Sequence, residues 1–434
     1  LPIINEDINE EWISDKTRYA CDGLLNQRLD VPYVRYNNKF DKASWKEVYN
    51  IIKSKIKNSN KENICSFVGD LTNMETSFIL KEFFERTLDS KKYESRNADR
   101  FIDNSSRENY LFNSKINGIE ETDLIFLIGA NPRFEATIIN ARIRKAYLNN
   151  KTKIISLNDV GDLTYPYEFL DGKTQTIKDI FENNNELSKN ILDSKKPMII
   201  IGESFLNLKS SNYLFNALKE FLLKNNKFTD EWNPLNILSS DAATVGNFDL
   251  DIFNNDDKLF QNLNENKFEI VFLIGQDNLD FKKKDEFIIY LGSHGDKGAE
   301  IADIILPGAA YTEQSGHYTN LEGKIQKSFK ASYPPGEAKE DWQIINELAE
   351  LMNNRKLFND KEELQSSMFN YLNIKKEKQK SNFVDKKIED NFANENLKVN
   401  YKDYYFSNVI ARSSKTMVDC NNAKHEIKRT GTEG

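Results

Sequence analysis

Two segments have residue types that suggest a function. The first is the run Gly-Ala-Asn-Pro-Arg at 129–133, which could bind a ligand. It follows the apolar run 123–128, so we expect it at the carboxyl end of a buried strand, where open α/β sheets bind ligands. The side chains of Asn131 and Arg133 could contact a phosphate or a purine there, and Pro132 ends the strand. The alternative is an ordinary turn between strand and helix, and spacing alone leaves both interpretations open.

The second segment lies near the start of the chain, at 9–25, with Arg28 shortly after it. It places one tryptophan among several acids and bases: Trp12, Asp15, Lys16, Arg18, Asp22 and Arg28. This mixture is typical of a protein interface or an internal network of ion pairs rather than of a plain helix.

Other patterns resemble parts of catalytic or binding motifs. Residues 172–174, Gly-Lys-Thr, end like a phosphate loop, but Tyr167 stands where the first glycine belongs. Residues 202–204, Gly-Glu-Ser, follow a predicted strand like a nucleophile elbow, but Leu206 replaces the second glycine. The spaced glycines of 292–298 could bring backbone amides to a phosphate, although a tight loop is the favoured interpretation.

The elements that would position these residues follow an alternating pattern of apolar runs and amphipathic stretches, which predicts stacked α/β units. The run 123–129 is apolar on both faces, as a central parallel strand must be when helices cover both sides. Further strands are predicted at 64–68, 153–157, 198–202, 235–238, 270–275, 287–291 and 304–306. Two capping boxes, Ser44-x-x-Glu47 and Thr72-x-x-Glu75, predict helix starts.

A weak internal repeat suggests how the chain is divided. The strand at 270–275 resembles that at 123–129, so we predict two α/β halves separated between Leu157 and Met198. The predicted parts are a joining segment (1–40), a first α/β domain (41–190), a second α/β domain (191–353) and a carboxy-terminal part (354–434). In the last part, the polar stretch 375–396 predicts a solvated linker, and the aromatic residues beyond it predict a tail that docks on the body.

Composition excludes several classes of protein. The 434 residues carry a net charge of -8, which argues against a generic nucleic-acid binder. The three cysteines are far apart, so this chain offers neither a disulfide framework nor a local ligand set for zinc or an iron–sulfur cluster. No apolar run reaches the ~20 residues of a spanning helix. The first residues resemble neither a signal nor a transit peptide, which suggests a processed or truncated start.

Stretches along nearly the whole chain resemble one family, the large iron–sulfur subunit of respiratory complex I, NADH:ubiquinone oxidoreductase. The matching stretches are 8–19 (INEEWISDKTRY), 22–24, 27–29, 129–136 (GANPRFEA), 140–145 (NARIRK), 162–165, 294–296, 302–313 (ADIILPGAAYTE), 320–323, 340–342, 402–405 and 410–417 (IARSSKTM). The resemblance implies a molybdopterin-oxidoreductase-like α/β body of stacked, mostly parallel Rossmann-like sheets, with a polar linker and a docking tail.

The resemblance also implies where cofactors should be. The family's 4Fe–4S and 2Fe–2S clusters are expected in an amino-terminal part outside this chain or on a separate chain, and none is expected here. Relatives with an additional cluster have a cysteine where Ser14 stands, and a neutral hydroxyl is a poor iron ligand. Lys16 matches a lysine that links cluster and pterin in the enzymes, so a structural role is expected for it. Asn131, Pro132 and Arg133 would then belong to an inherited pterin site that is closed or filled.

The resemblance implies a structural subunit without catalytic residues of its own, in the peripheral arm on the matrix side of the mitochondrial inner membrane. Its expected partners are the other peripheral-arm subunits, including those that carry iron–sulfur clusters and flavin. The candidate interface residues are Trp12, Asp15, Lys16, Arg18, Asp22, Arg133 and Glu135. The alternatives are a pterin- or molybdenum-dependent oxidoreductase and a free α/β module that binds a small molecule.

Overall fold

Two mostly parallel sheets flanked by helices form the body of the chain. The structure, a computed structural model, describes residues 2–182, 185–254, 258–380 and 391–430, without the side chains of 377–380 and 425–430. Over these residues the strands are β1 Tyr33–Tyr36, β2 Lys39–Lys42, β3 Ile64–Val68, β4 Tyr93–Glu94, β5 Leu124–Ile128, β6 Lys153–Ser156, β7 Glu168–Phe169, β8 Pro197–Gly202, β9 Leu235–Leu238, β10 Ile270–Ile274, β11 Phe287–Gly292, β12 Ile304–Pro307, β13 Gly316–Thr319 and β14 Ile325–Ser328.

Helices cover both faces of the sheets. The α-helices of the described residues are α1 Asp15–Tyr19, α2 Trp45–Asn58, α3 Met74–Phe83, α4 Pro132–Glu135, α5 Thr137–Asn150, α6 Thr174–Glu182, α7 Glu186–Asp193, α8 Glu203–Leu206, α9 Ser211–Lys224, α10 Thr244–Asp249, α11 Lys258–Asn264, α12 Lys297–Ile301, α13 Asp341–Asn353, α14 Lys361–Lys380, α15 Val409–Ser413 and α16 Lys415–Thr430.

The larger sheet has the order β2-β1-β12-β11-β10-β3-β4, and the smaller has the order β7-β6-β5-β8-β9. The smaller sheet is parallel throughout, whereas β1 runs antiparallel to β2 and β12 in the larger one. Every residue of β3, β5, β8 and β10 is buried, because helices pack on both faces of these central strands. The predicted fold class and the predicted central strands are confirmed.

The sheets do not follow the predicted division of the chain at 190. Strand β8, from the predicted second domain, pairs with β5 from the predicted first domain. Strand β3 in turn pairs with β10, which lies about 200 residues later. The chain therefore leaves the larger sheet after β4, completes the smaller sheet, and returns. A repeated apolar pattern identifies buried strands but does not specify which strands are neighbours, and this is why the boundary was misplaced.

One of the two predicted capping boxes is correct. Ser44 caps α2 by accepting a hydrogen bond from the backbone N–H of Glu47. In the other, Asn73 rather than Thr72 caps α3, and its side chain accepts from the N–H of Thr76 at 2.9 Å. Glu75 turns away from the helix end and binds the ring of His317 at 2.6 Å. A hydrogen-bonded partner on β13 therefore overrides the local capping motif.

The predicted linker at 375–396 is only partly correct. Helix α14 continues through Lys380, anchored by Leu364, Met368 and Leu372 in the core, and its lysines and glutamates favour helix. Residues 381–390 lie outside the described part. From 391 the chain runs in extended form across the smaller sheet before α15 and α16, so the tail docks on the body as expected.

Candidate functional site

A cavity of about 490 Å³ lies where the carboxyl ends of strands from both sheets meet. Asp70 follows β3, Glu135 ends the short helix after β5, and Asp241 follows β9. Tyr311 follows β12, and Lys16 reaches the cavity from α1. This is the position at which open α/β sheets bind ligands.

The carboxy-terminal tail enters this cavity and supplies its central charge. The Nζ atom of Lys402 lies 2.5 Å from Oδ2 of Asp70 and 2.7 Å from Oδ1 of Asp241. Next to it, the ring of Tyr401 stacks on that of Phe134, with centroids 5.0 Å apart and planes inclined by 9°. One lysine therefore bridges two acidic side chains from different sheets.

The tail also binds the incomplete motifs found in the sequence. The Gly-Lys-Thr run at 172–174 forms several hydrogen bonds with it. Leu397 donates a backbone hydrogen bond to Gly172, and the Thr174 hydroxyl donates to the carbonyl of Ala393. Ser204 exchanges two hydrogen bonds of 2.9 Å with the backbone of Asn400. The residues that resemble a phosphate loop and a nucleophile elbow are therefore used to dock the tail.

Burial sets the protonation of the acids around the cavity. Desolvation raises the pKa of Asp241 to about 7, with a further increase from the charge of Asp70 and an opposing effect of Lys402. Desolvation also raises the pKa of Glu135 to about 8, although its carboxylate accepts a hydrogen bond from the N–H of Asn131. Burial lowers the pKa of Lys16, whose ammonium lies 5.1 Å from the centre of the Tyr404 ring. The cavity therefore holds more acidic groups than basic ones.

The predicted ligand-binding residues lie beside the cavity but do not line it. Asn131 is buried and donates to the carbonyl of Val160, while Pro132 is buried at the first turn of α4. Arg133 turns outward and pairs with Asp162 at 2.5 Å. Their neighbours Phe134 and Glu135 line the cavity instead.

The early charged segment is divided between exposed and internal roles. Ser14 caps α1 by accepting from the N–H of Thr17, which gives a structural reason for a hydroxyl at this position. Trp12, Asp15 and Arg18 are exposed, and 58% of Trp12 is accessible. They are therefore available for contacts with another protein.

Asp22 and Arg28 make contacts within the chain. The Asp22 carboxylate accepts from Ser414 and from the N–H of Thr416, and so fixes the start of α16. The guanidinium of Arg28 forms a two-pronged pair with Glu313, with distances of 2.6 and 2.5 Å. Of these two residues, Arg28 therefore forms an internal ion pair, whereas Asp22 is held by neutral donors.

Sequence reasoning missed the acids and the lysine that define the cavity. Asp70 and Asp241 each follow a predicted strand, so an inspection of strand ends would have identified them. Lys402 offered no such signal, because 332 positions separate it from Asp70. Only the path of the tail brings these residues together.

Three family models match consecutive parts of the chain. The molybdopterin oxidoreductase model matches residues 28–351. A NuoG-like 4Fe-4S domain of NADH-ubiquinone oxidoreductase matches residues 1–22, and a carboxy-terminal model of the NADH-ubiquinone oxidoreductase G-type subunit matches residues 364–420. The matches therefore account for both ends of the chain and for its body.

Relatives of similar sequence have names that agree with these matches. The chain is 37% identical to the G-type subunit of the NADH-quinone oxidoreductase of Rickettsia bellii, with 99% of this chain and 63% of the relative covered. It is 35% identical to the NADH-ubiquinone oxidoreductase 75 kDa subunit of Reclinomonas americana, with 97% and 64% covered. It is 37% identical to the mitochondrial 78 kDa subunit of Candida albicans, with 97% and 60% covered. The chain thus spans under two thirds of the length of these relatives.

Solved structures agree at the level of the fold. Acetylene hydratase from Pelobacter acetylenicus matches with a TM-score of 0.52 over 81% of this chain and 65% of its own, at 13% identity. The formyltransferase/hydrolase complex of Methylorubrum extorquens matches with the same TM-score over 75% of this chain and 99% of its own, at 12% identity.

The largest matching family model is named after the molybdopterin cofactor. The residues of the cavity do not fit this cofactor. Such a cofactor carries phosphate, whereas Asp70, Asp241 and Glu135 present carboxylates at the strand ends. Lys402, the base nearest to two of these acids, is already paired with them. A phosphate in this cavity would have to compete with Asp70 and Asp241 for Lys402. We therefore derive no reaction step through this cofactor.

An iron–sulfur cluster likewise lacks ligands in the segment that matches the 4Fe-4S model. Residues 1–22 contain one cysteine, Cys21, which is exposed. Within the described ranges, no group of three or more histidine, cysteine, aspartate or glutamate side chains is arranged to hold a metal. A cluster beside this segment would need thiolates from elsewhere.

The extent of the matches decides the classification. The molybdopterin oxidoreductase model alone covers more than half of the chain, and the two NADH-ubiquinone oxidoreductase models match on either side of it. The chain belongs to the molybdopterin oxidoreductase family.

Proposed function

We propose that this chain is the molybdopterin-oxidoreductase-like body of the large subunit of respiratory complex I, and that it acts as a scaffold of the peripheral arm. In this role it supports the electron path from NADH to quinone without catalysing a step itself. The relatives at 35–38% identity over nearly the whole chain are named as subunits of NADH-quinone or NADH-ubiquinone oxidoreductase. The link between this chain and the activity of the whole complex rests only on that similarity.

The entry of the tail into the cleft is the observation that supports the scaffold role. In this fold the cleft between the sheets is the natural ligand site. Here the tail forms part of its wall, and the tail's Lys402 pairs with two acids from different sheets. The tail therefore joins the two sheets at the place where an enzyme of this fold would admit a ligand.

The proposed partners are the other subunits of the peripheral arm, including those that carry clusters and flavin. The 4Fe–4S and 2Fe–2S clusters would lie in a part of the subunit outside this chain or on a separate chain. The match of a 4Fe-4S domain model to residues 1–22 supports a position of that part beside α1. Exposed Trp12, Asp15 and Arg18 are the proposed contact residues on this side.

The proposed location is the matrix side of the mitochondrial inner membrane. It is supported by relatives that are named as mitochondrial subunits. None of the helices in the described ranges combines the length and apolar character that crossing a bilayer requires.

Native gel electrophoresis with an in-gel NADH oxidation stain tests this proposal. The tagged chain is expected to migrate in a large assembly that oxidises NADH, whereas a free module would migrate alone. Replacing Trp12 by Ala and Arg18 by Glu together is expected to reduce incorporation into the assembly. Phe169→Ala is the control, because Phe169 is 57% exposed, much as Trp12 is, and lies on β7 at the edge of the smaller sheet.

Metal analysis of the purified assembly and pterin fluorescence address the enzymatic alternative. Molybdenum or tungsten in a one-to-one ratio with this chain would overturn the scaffold proposal. If the proposal is correct, the iron content should instead follow the cluster-bearing subunits and should not change in Lys402→Met.

A further inference from the structure

A second and much smaller cavity, of about 50 Å³, lies at the carboxyl ends of β10, β11 and β12. Its lining includes Asp277, Tyr290, Gln314 and Asp341. Neither the proposed scaffold role nor the tail explains this group of polar side chains. The volume is sufficient for an ion with one or two water molecules.

The two carboxylates of this cavity are buried with only neutral hydrogen-bond donors. Asp277 accepts from the N–H of Gly298 at 2.9 Å and from the hydroxyl of Tyr290 at 3.0 Å. Asp341 accepts from the N–H of Ala309 and from the side-chain amide of Gln314, both at 3.2 Å. Among the ion pairs of the described residues, neither carboxylate has a basic partner.

The nearest bases are already engaged with other acids. Arg412 pairs with Asp296 at 2.6 Å, and Lys361 pairs with Glu340 at 2.6 Å. Two buried carboxylates without a neutralising charge are costly in a folded protein. Either a cation compensates them or they take up protons.

An independent observation comes from Gln314. Its side chain is 95% buried, since only 5% of the residue is exposed, and its Nε2 atom donates to Ala309 and Asp341. Its Oε1 atom finds no hydrogen-bond partner in the part of the chain that the structure describes. Buried carbonyl oxygens are rarely left without a partner. This oxygen is therefore available to a ligand in the cavity.

We propose that this cavity binds a hard metal cation through oxygen atoms of Asp277, Asp341 and Gln314. Carboxylate and amide oxygens are the ligands that such cations prefer. The site does not depend on the proposed function, because it lies within the larger sheet of this chain.

Thermal unfolding of the full chain at pH 8 tests this site. Chlorides of potassium, sodium, magnesium and calcium are each compared with choline chloride at equal ionic strength, because choline is too large for the cavity. At least one metal chloride is expected to raise Tm by about 2 °C or more in a saturable manner. If every salt gives the Tm of choline chloride, the proposal is wrong and the carboxyls are simply protonated.

Substitutions of the two aspartates test whether the ion binds in this cavity. Asp277→Asn combined with Asp341→Asn is expected to remove the response to the metal, and in choline chloride to be at least as stable as the unmodified chain. Asp285→Asn, which changes an exposed carboxylate, is the control and should retain the full response. A response that persists in the double variant would place the ion elsewhere and overturn the proposal.

Gln314→Met provides a second test that does not depend on the folding of the double variant. The substitution conserves volume but removes the unpartnered carbonyl oxygen. We expect the metal concentration at half-maximal stabilisation to rise about tenfold, and an unchanged value would contradict the role of Gln314. This comparison decides the proposal even if the double variant does not fold.

Discussion

Replacing Lys402 by methionine removes the positive charge that the tail places between Asp70 and Asp241, and it conserves most of the side-chain volume. The Lys402 side chain is 27% exposed and both aspartates are 12% exposed, so water can compensate the lost charge only in part. Removal of one partner from a buried ion pair costs about 3–5 kcal/mol. The partial exposure favours the lower end of this range, about 3 kcal/mol.

This free energy translates into a measurable shift in Tm. The entropy of unfolding of a chain of 434 residues corresponds to roughly 0.9 kcal/mol per degree. We therefore expect Lys402→Met to lower Tm by about 3 °C at pH 8. Lys398→Met is the matched control, because Lys398 is an exposed lysine of the same tail, and its Tm should stay within about 1 °C of that of the unmodified chain.

The pH dependence identifies the mechanism. Asp241 has a pKa of about 7 in the folded state against 3.8 ordinarily, so its contribution to stability is complete below pH 3.8 and is lost as the pH rises through 7. Loss of Lys402 should raise this pKa further. The deficit of Lys402→Met is therefore expected to be larger at pH 8 than at pH 5, and Asp241→Asn should partly restore its Tm. An equal deficit at both pH values, or no restoration, would refute an electrostatic role of Lys402.

Three further predictions concern the body of the protein. Arg28→Met should lower Tm by about 3–5 °C, because it leaves the buried Glu313 carboxylate unpaired, and calorimetry should show a smaller loss when Glu313→Gln is added. Burial lowers the pKa of His294 to about 4. The contribution of the neutral ring to stability is therefore complete above pH 6.5 and is lost as the pH falls through 4. NMR should show a neutral ring at about pH 5.5. Gly202→Val should destabilise by about 1–3 kcal/mol in urea unfolding, because its side chain would overlap the carbonyl of Gly129.

Local sequence patterns determined the elements of this protein. The runs that are apolar on both faces, such as 124–128 and 270–274, can be buried only between two layers of helices, and both are central parallel strands. Ser44 caps its helix as the capping box predicts, because that interaction is complete within four residues. The family could likewise be identified from contiguous stretches, and the matches of the three family models together with the named relatives confirm it.

Only the tertiary structure decided which strands are neighbours and which residues meet at the cleft. The order of strands in each sheet depends on contacts between segments about 200 residues apart, and the local pattern is the same for either neighbour. In the same way, nothing in the sequence distinguishes Lys402 from the other polar residues of the tail. Its position between two acids depends on the path of the chain. Periodicity reports which side chains are buried, whereas charge pairing between distant segments is set by the packing of the whole fold.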